Sequence, residues 1–175
     1  MIETLTEAAK LPATDRNLTF AEARERYQGV VFAFVARRVR PVEEAEDIVA
    51  AVFVAAFAKW NKRKGDARLW LFGIARRKVA DSLRKRHKPW PLRETDIVGN
   101  AMDDFVTHTE MAQASAILAR LPIDERDALI MSVVDELSIA EIGEVLGRSE
   151  KATNSLLGRA RKRVRRLIEA TGDFR

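Results

Sequence analysis

The sequence predicts an all-α protein made of two small helical domains joined by a flexible linker. Apolar residues recur three and four positions apart in successive stretches, and the alternation of a half-buried strand is absent. A segment rich in acid, with proline and glycine, divides the helical pattern in two. At 175 residues the chain can hold one ordinary domain or two small ones, and it contains no internal repeat or low-complexity tract.

Residues 1–17 read as an N-terminal tail. Glu3 and Glu7 stand where a signal peptide needs basic residues, and no continuous apolar stretch follows, so a cytoplasmic protein is expected. Over 19–39, Phe20, Ala23, Tyr27, Val30, Val31 and Phe34 share one helical face, with Arg24, Arg26, Arg37 and Arg38 mostly elsewhere. Pro41 suits the first turn of a second helix, where Glu43, Glu44, Glu46 and Asp47 complement the positive end of the dipole. This helix should run to about Trp60. Its apolar run from Ile48 to Ala58 is 11 residues long and ends at Lys59, well short of the ~20 that span a bilayer. The polar NKRKG stretch then breaks the pattern, and Asp66 can cap a third helix. That helix turns Leu71, Ile74, Ala75, Val79 and Leu83 inward and a strongly basic face outward.

Residues 89–112 read as the linker: Glu94, Asp96, Asp103, Asp104 and Glu110 outweigh Arg93, while Pro89, Pro91 and Gly99 break any long helix. Helical pattern resumes near Met111 and continues to Leu121, where Pro122 interrupts it and Asp124 can cap the next helix. Further on, Ser138 and Glu141 form an S-x-x-E capping box ahead of Ile139, Ile142, Val145 and Leu146, and Gly147 stands where a left-handed C-cap is needed. Ser149 can cap one more helix, with Thr153, Leu157, Ala160, Val164 and Leu167 along one stripe. Glu150, Lys151, Asn154, Ser155 and Arg159 then face outward. Two helices on a tight turn, with polar first turns for base edges and basic residues beyond for phosphates, are what a helix-turn-helix presents to DNA.

Six of the eight residues from Arg159 to Arg166 are basic (Arg159, Arg161, Lys162, Arg163, Arg165 and Arg166). By itself such a run suits a solvated helix end. Joined to the capping box, the glycine turn and the polar first turns, it points to DNA. A net charge of +5 favours a polyanionic partner, either nucleic acid or an anionic surface. With no cysteine, disulfide frameworks, thiolate zinc sites and cysteine nucleophiles are excluded. His87 and His108 lack triad or metal spacing, and the eight glycines form no P-loop or dinucleotide fingerprint. Neither an enzyme nor a cofactor, metal or small-molecule substrate is therefore expected.

AEDIVAAVF (Ala45 to Phe53) followed by GDARLWLFGIARRKVADSLRK (Gly65 to Lys85) resembles the second domain of extracytoplasmic-function sigma factors of bacterial RNA polymerase. ARLPIDERDAL and LSIAEIGEVLGRSEKATNSLLGRARKRV resemble their fourth domain, so the resemblance spans roughly residues 20 to 168. It implies a helical-bundle domain at 18–88 for polymerase binding and minus-10 melting, and a helix-turn-helix domain at 113–170 for the minus-35 element. By the same resemblance Glu46, Asp47, Ile48, Val52 and Phe53 would dock on the clamp helices of the largest polymerase subunit. Lys62, Arg63, Lys64, Asp66, Arg68, Trp70, Arg76, Arg77, Lys78 and Arg84 would meet the minus-10 element. Ser149, Glu150, Lys151, Asn154, Ser155, Arg159, Arg161 and Lys162 would meet the minus-35 element. The polymerase flap, promoter DNA and an anti-sigma factor complete the implied partners.

The charge pattern supports part of this independently. Arg76, Arg77, Lys78, Arg84, Lys85, Arg86 and Lys88 oppose only Asp81, which suits the phosphates of a melted strand. Trp60 or Trp70 would stack on bases there, or both belong to the core. The chain departs from the family at Ala50 and Ala51, in place of a common Gln-Glu pair. These predict extra burial of the second helix, against its own domain or an anti-sigma partner. It departs again at Arg77, in place of an asparagine, and at Leu156, in place of a basic residue that would touch phosphate; both predict an unusual promoter preference. The alternative reading is a conventional helix-turn-helix regulator that never joins the polymerase.

Overall fold

The computed structural model describes residues 18–86 and 113–171, which are helical with short connections. The tail at 1–17, the linker at 89–112, Lys88 and both histidines lie outside the described residues. Helix α1 spans Phe20–Ala36, α2 Val42–Phe57 and α3 Ala67–Arg86, with a single 3-10 turn at Trp60–Lys62 between α2 and α3. A helical stretch over 113–119 leads to α4 at Ile123–Val133, α5 at Ile139–Leu146 and α6 at Glu150–Thr171.

Caps explain most of the boundaries. Helix α1 starts with a capping box: the Thr19 hydroxyl accepts from the Glu22 amide at 3.3 Å, and the Glu22 carboxylate accepts from the Thr19 amide at 2.8 Å. Pro41 is the N-cap of α2, one position earlier than the first turn the sequence suggests. Asp66 caps α3 as expected, accepting from the Leu69 amide at 2.9 Å. Asp124, expected as a cap, is not one. Pro122 holds that position, and the Asp124 carboxylate in the first turn of α4 is drawn instead to Arg76 and Arg148.

Helices α1, α2 and α3 pack on one another through a stripe including Tyr27, Val31, Phe34, Ala45, Val52, Leu71 and Ala75. Phe34 and Phe72 stack with ring centroids 4.5 Å apart. In the second half, α4 and α5 pack on α6. The sequence leaves the relation of the halves open; the structure packs α3 directly on α5. One buried cluster runs through both, joining Val52, Phe72 and Ala75 to Met131, Ile142, Val145 and Leu157. A smaller cluster of Ile117, Leu121 and Ala160 closes the far side of the C-terminal half.

The apolar circumference of α2 is not covered. Val54 is 71% exposed and Phe57 68%, and Ala50 is exposed as well, so the extra burial expected against its own domain does not occur. Helices α1 and α2 leave a groove of about 940 Å³ there, lined by Phe20, Phe32, Val49, Ala50, Val54 and Phe57 among others.

Candidate nucleic-acid interface

The helix-turn-helix is built from caps. Ser138 and Glu141 complete their capping box: the serine amide donates to the carboxylate at 2.8 Å, and the serine hydroxyl accepts from the Glu141 amide at 3.3 Å. Burial pushes the Glu141 carboxyl up, but the Ser138 bonds and the Arg68 guanidinium outweigh it and leave the pKa below its ordinary value. Gly147 ends α5 with φ 65 and ψ 39, the left-handed conformation in which glycine is free of strain. Ser149 then opens α6, its hydroxyl accepting from the Ala152 amide at 3.3 Å.

Thr153, Leu157 and Ala160 anchor the inner stripe of α6, and Thr153 donates its hydroxyl to the Ser149 carbonyl at 3.0 Å. Leu156 is also inside, 3% exposed, so the residue expected to cost a phosphate contact is a core residue with no place on the outer face. Ser149, Glu150, Lys151, Asn154, Ser155, Arg159, Arg161 and Lys162 are all exposed. Ser155 donates its hydroxyl back onto the Lys151 carbonyl at 2.9 Å, which leaves its oxygen free to accept. Arg163 is withdrawn from the basic run. It donates to Glu125 at 2.8 Å, ties α6 to α4 and has its pKa raised by that bond. Arg161 and Arg165 rim an apolar groove of about 430 Å³ that includes Leu118, Val133, Val134, Val164 and Ile168.

The ten residues expected at the minus-10 element divide. Lys62, Lys64, Arg77 and Arg84 are exposed and Lys78 half-buried, with Arg84 paired to Asp81. Arg63 lays its guanidinium over Trp60, 4.5 Å from the ring centroid. Trp60 donates its indole N–H to the Leu18 carbonyl at 3.1 Å and meets Trp70 edge-on at 5.9 Å. Both tryptophans are half-buried and pack against the core. Asp66 is spent as a cap.

Arg68 and Arg76 are not on a free surface. Arg68 donates to Glu141 at 2.8 Å, and Arg76 donates from Nε to Asp127 at 3.0 Å while also pairing with Asp124. Arg37 and Arg38, from the end of α1, both pair with Asp135; the Arg38–Asp135 contact is 3.1 Å. Arg38 also lies 3.6 Å from Asp127 and 3.6 Å from the Phe34 ring centroid, and it donates to the Phe34 carbonyl at 2.7 Å. Four arginines of the N-terminal half thus meet four carboxylates of the C-terminal half along one seam. Next to it, burial and the neighbouring Asp66 and Glu141 carboxylates push the Glu144 carboxyl up. No sequence signal marks these pairs, whose members lie between 48 and 98 positions apart.

The residues expected to dock on the polymerase also divide. Glu46 and Asp47 are exposed, but Ile48, Val52 and Phe53 lie on the buried stripe of α2. The most exposed large apolar residues of this helix are Val54 and Phe57, which the sequence reading did not single out. Their exposure follows from the helical period, since they fall off the stripe set by Ala45, Val49, Val52 and Ala56. Glu44 is occupied in accepting from the Ser82 hydroxyl. Among the described residues no cluster of histidine, cysteine and carboxylates suits a metal, and no helix is long and apolar enough to cross a membrane.

The sigma-70 region 2 family matches residues 24–88, and the sigma-70 region 4 family matches residues 111–164. The chain is 30% identical over 154 residues to RNA polymerase sigma factor CarQ of Myxococcus xanthus, covering 85% of this chain and 86% of that one. It is 26% identical over 156 residues to ECF RNA polymerase sigma factor SigM of Bacillus subtilis (strain 168), covering 86% of this chain and 95% of that one. Among solved structures it is similar to CnrH in complex with the cytosolic domain of CnrY, with TM-score 0.62, 26% identity and 95% of each chain covered. CnrH is an RNA polymerase sigma factor of Cupriavidus metallidurans.

Proposed function

Because the chain belongs to the RNA polymerase sigma factors, in their extracytoplasmic-function group, we propose that it binds core RNA polymerase in the cytoplasm and brings it to promoters by reading minus-10 and minus-35 elements. The domains run over 18–88 and 113–170, with 89–112 as the link. The observation that carries the DNA-reading role is the outer face of α6, where a capped, glycine-terminated helix pair presents Glu150, Lys151, Asn154, Ser155 and Arg159.

Asn154 and Lys151 suit base edges, whereas Arg159 and Lys162 suit phosphates. In the N-terminal domain, Lys62, Lys64, Arg77, Lys78 and Arg84 form the accessible part of the minus-10 surface. Glu46 and Asp47 supply charge for the clamp helices, and the neighbouring groove with Val54 and Phe57 supplies apolar area. The apolar groove rimmed by Arg161 and Arg165 suits the polymerase flap. Control by an anti-sigma factor is supported by the solved complex of CnrH with a CnrY domain.

Run-off transcription with core polymerase and a promoter library tests the reading. Wild-type protein is expected to initiate; Asp47→Ala is expected to weaken core binding, and Asn154→Ala to change which upstream sequences are used. A wild-type protein that supports no initiation with its cognate core overturns the proposal.

A further inference from the structure

The groove between α1 and α2 joins exposed apolar walls to small residues on both helices. Val54 is 71% exposed and Phe57 68%, and Gly29 and Ala50 line the groove with them. A β-carbon placed at Gly29 would meet nothing within 4 Å, so a further backbone has room to come close there. The described chain begins at one end of this groove. The Leu18 carbonyl accepts from the Trp60 indole at 3.1 Å, and the Phe20 ring stands 5.1 Å from Phe57 and 5.6 Å from Trp60, centroid to centroid. Residues 1–17 therefore join the fold beside Phe57.

Their sequence, MIETLTEAAKLPATDRN, carries a helical stripe. At about 100° per residue Met1, Ile2, Leu5, Ala8 and Ala9 fall within about 120°, with Glu3, Glu7 and Lys10 outside it, and Pro12 ends the pattern. Residues 1–11 would make about 16 Å of helix, and the groove runs about 18 Å along α1 from Phe20 to Phe32. Residues 12–17, about 20 Å when extended, can span the roughly 10 Å between packed helix axes. Folded back antiparallel to α1 with Leu11 level with Phe20, the segment brings Ile2 level with Gly29 and Glu7 level with Arg24, a cation on the groove. A segment tethered this closely acts at about millimolar effective concentration, ahead of a second copy or a separate protein. We propose that residues 1–11 form a short helix seated in the α1–α2 groove, its apolar stripe against Ala50 and Val54. It covers surface of α2 that the described helices leave open, and it competes for the apolar area offered to the clamp helices. The competition, though not the seat, rests on the polymerase-binding role proposed above.

The chain has no cysteine, so Thr4→Cys, outside the stripe, accepts a single spin label. In the free full-length protein the label should broaden the methyl NMR signals of Val49 and Ala50, which line the groove away from Phe57. Gly29→Leu fills the groove from α1, and Ile2→Ser with Leu5→Ser blunts the stripe; each should abolish the broadening. Equal broadening in these variants, or none in the parent, overturns the proposal. Broadening that passes from labelled chains to separate isotope-enriched chains in a mixed sample marks a second copy in the groove and overturns it as well. If the segment fills the groove about nine-tenths of the time, Ile2→Ser with Leu5→Ser should bind core polymerase about tenfold more tightly. The broadening needs no polymerase. Broadening as expected with unchanged core affinity therefore defeats the docking role of the groove and spares the seat, whereas tighter core binding without broadening in the parent defeats the seat alone.

Discussion

Arg38 is among the largest side chains that the structure buries completely, at 1% exposure. A guanidinium is tolerated there because Asp135, the Phe34 carbonyl and the Phe34 ring surround it, with Asp127 close by. Removing its principal partner leaves a buried charge with only Asp127, at 3.6 Å, to offset it, so Asp135→Ala is expected to lower unfolding free energy by about 3 kcal/mol in urea titration. Asn in its place, which still accepts a hydrogen bond, should cost less. The Thr19–Glu22 box offers a gentler test. The Thr19 hydroxyl and amide hold the Glu22 carboxyl below its ordinary value, so the stabilisation it brings is present above the usual carboxylate range and is lost as pH falls through the depressed value. An NMR titration should find the Glu22 midpoint below that of a solvent-exposed glutamate, and Thr19→Ala, which removes the hydroxyl but keeps the amide, should raise it part of the way back.

At the scale of elements, the tight turn between α5 and α6 depends on backbone geometry more than on contacts. Gly147 has positive φ and nothing within 4 Å of where a β-carbon would stand, so Gly147→Ala isolates the conformational cost, about 1–2 kcal/mol by thermal or urea unfolding. On α6, loss of Arg159 or Lys162 should weaken binding evenly across sequences and lower the salt slope by about one each. Asn154→Ala should instead relax selectivity, measured by binding to a randomised site. Local features of this kind were legible in the sequence: the Ser138 box, the Gly147 cap, Ser149 and the exposed face of α6 all depend on residues within a turn of one another. The Thr19 box was legible too, since T-x-x-E stands before an apolar run, but it was not picked out. The docking role of Ile48, Val52 and Phe53 came from a motif. The helical period alone sets them on the stripe with Ala45 and Ala56, facing inward.

For the whole molecule, the continuous cluster from α1 to α6 means that the halves share a core. Unfolding should be one transition, with calorimetric and van't Hoff enthalpies equal; two separated transitions would show domains that merely touch. This level was the least legible in the sequence. Partners such as Arg38 and Asp135 are 97 positions apart, and nothing local to either predicts the other. The basic character of α3 was plain, but two of its arginines proved to be paired with carboxylates of the other half, and both tryptophans are half-buried against the core.

Leu156, inside the fold beside Leu157 and Ala160, fixes how α6 is rotated about its own axis. A helix clamped on that side cannot be re-aimed by a small change elsewhere. New target preferences in a lineage or a laboratory library should therefore arise by exchanging Glu150, Lys151, Asn154, Ser155 and Arg159 outright, five positions that the scaffold leaves free to vary.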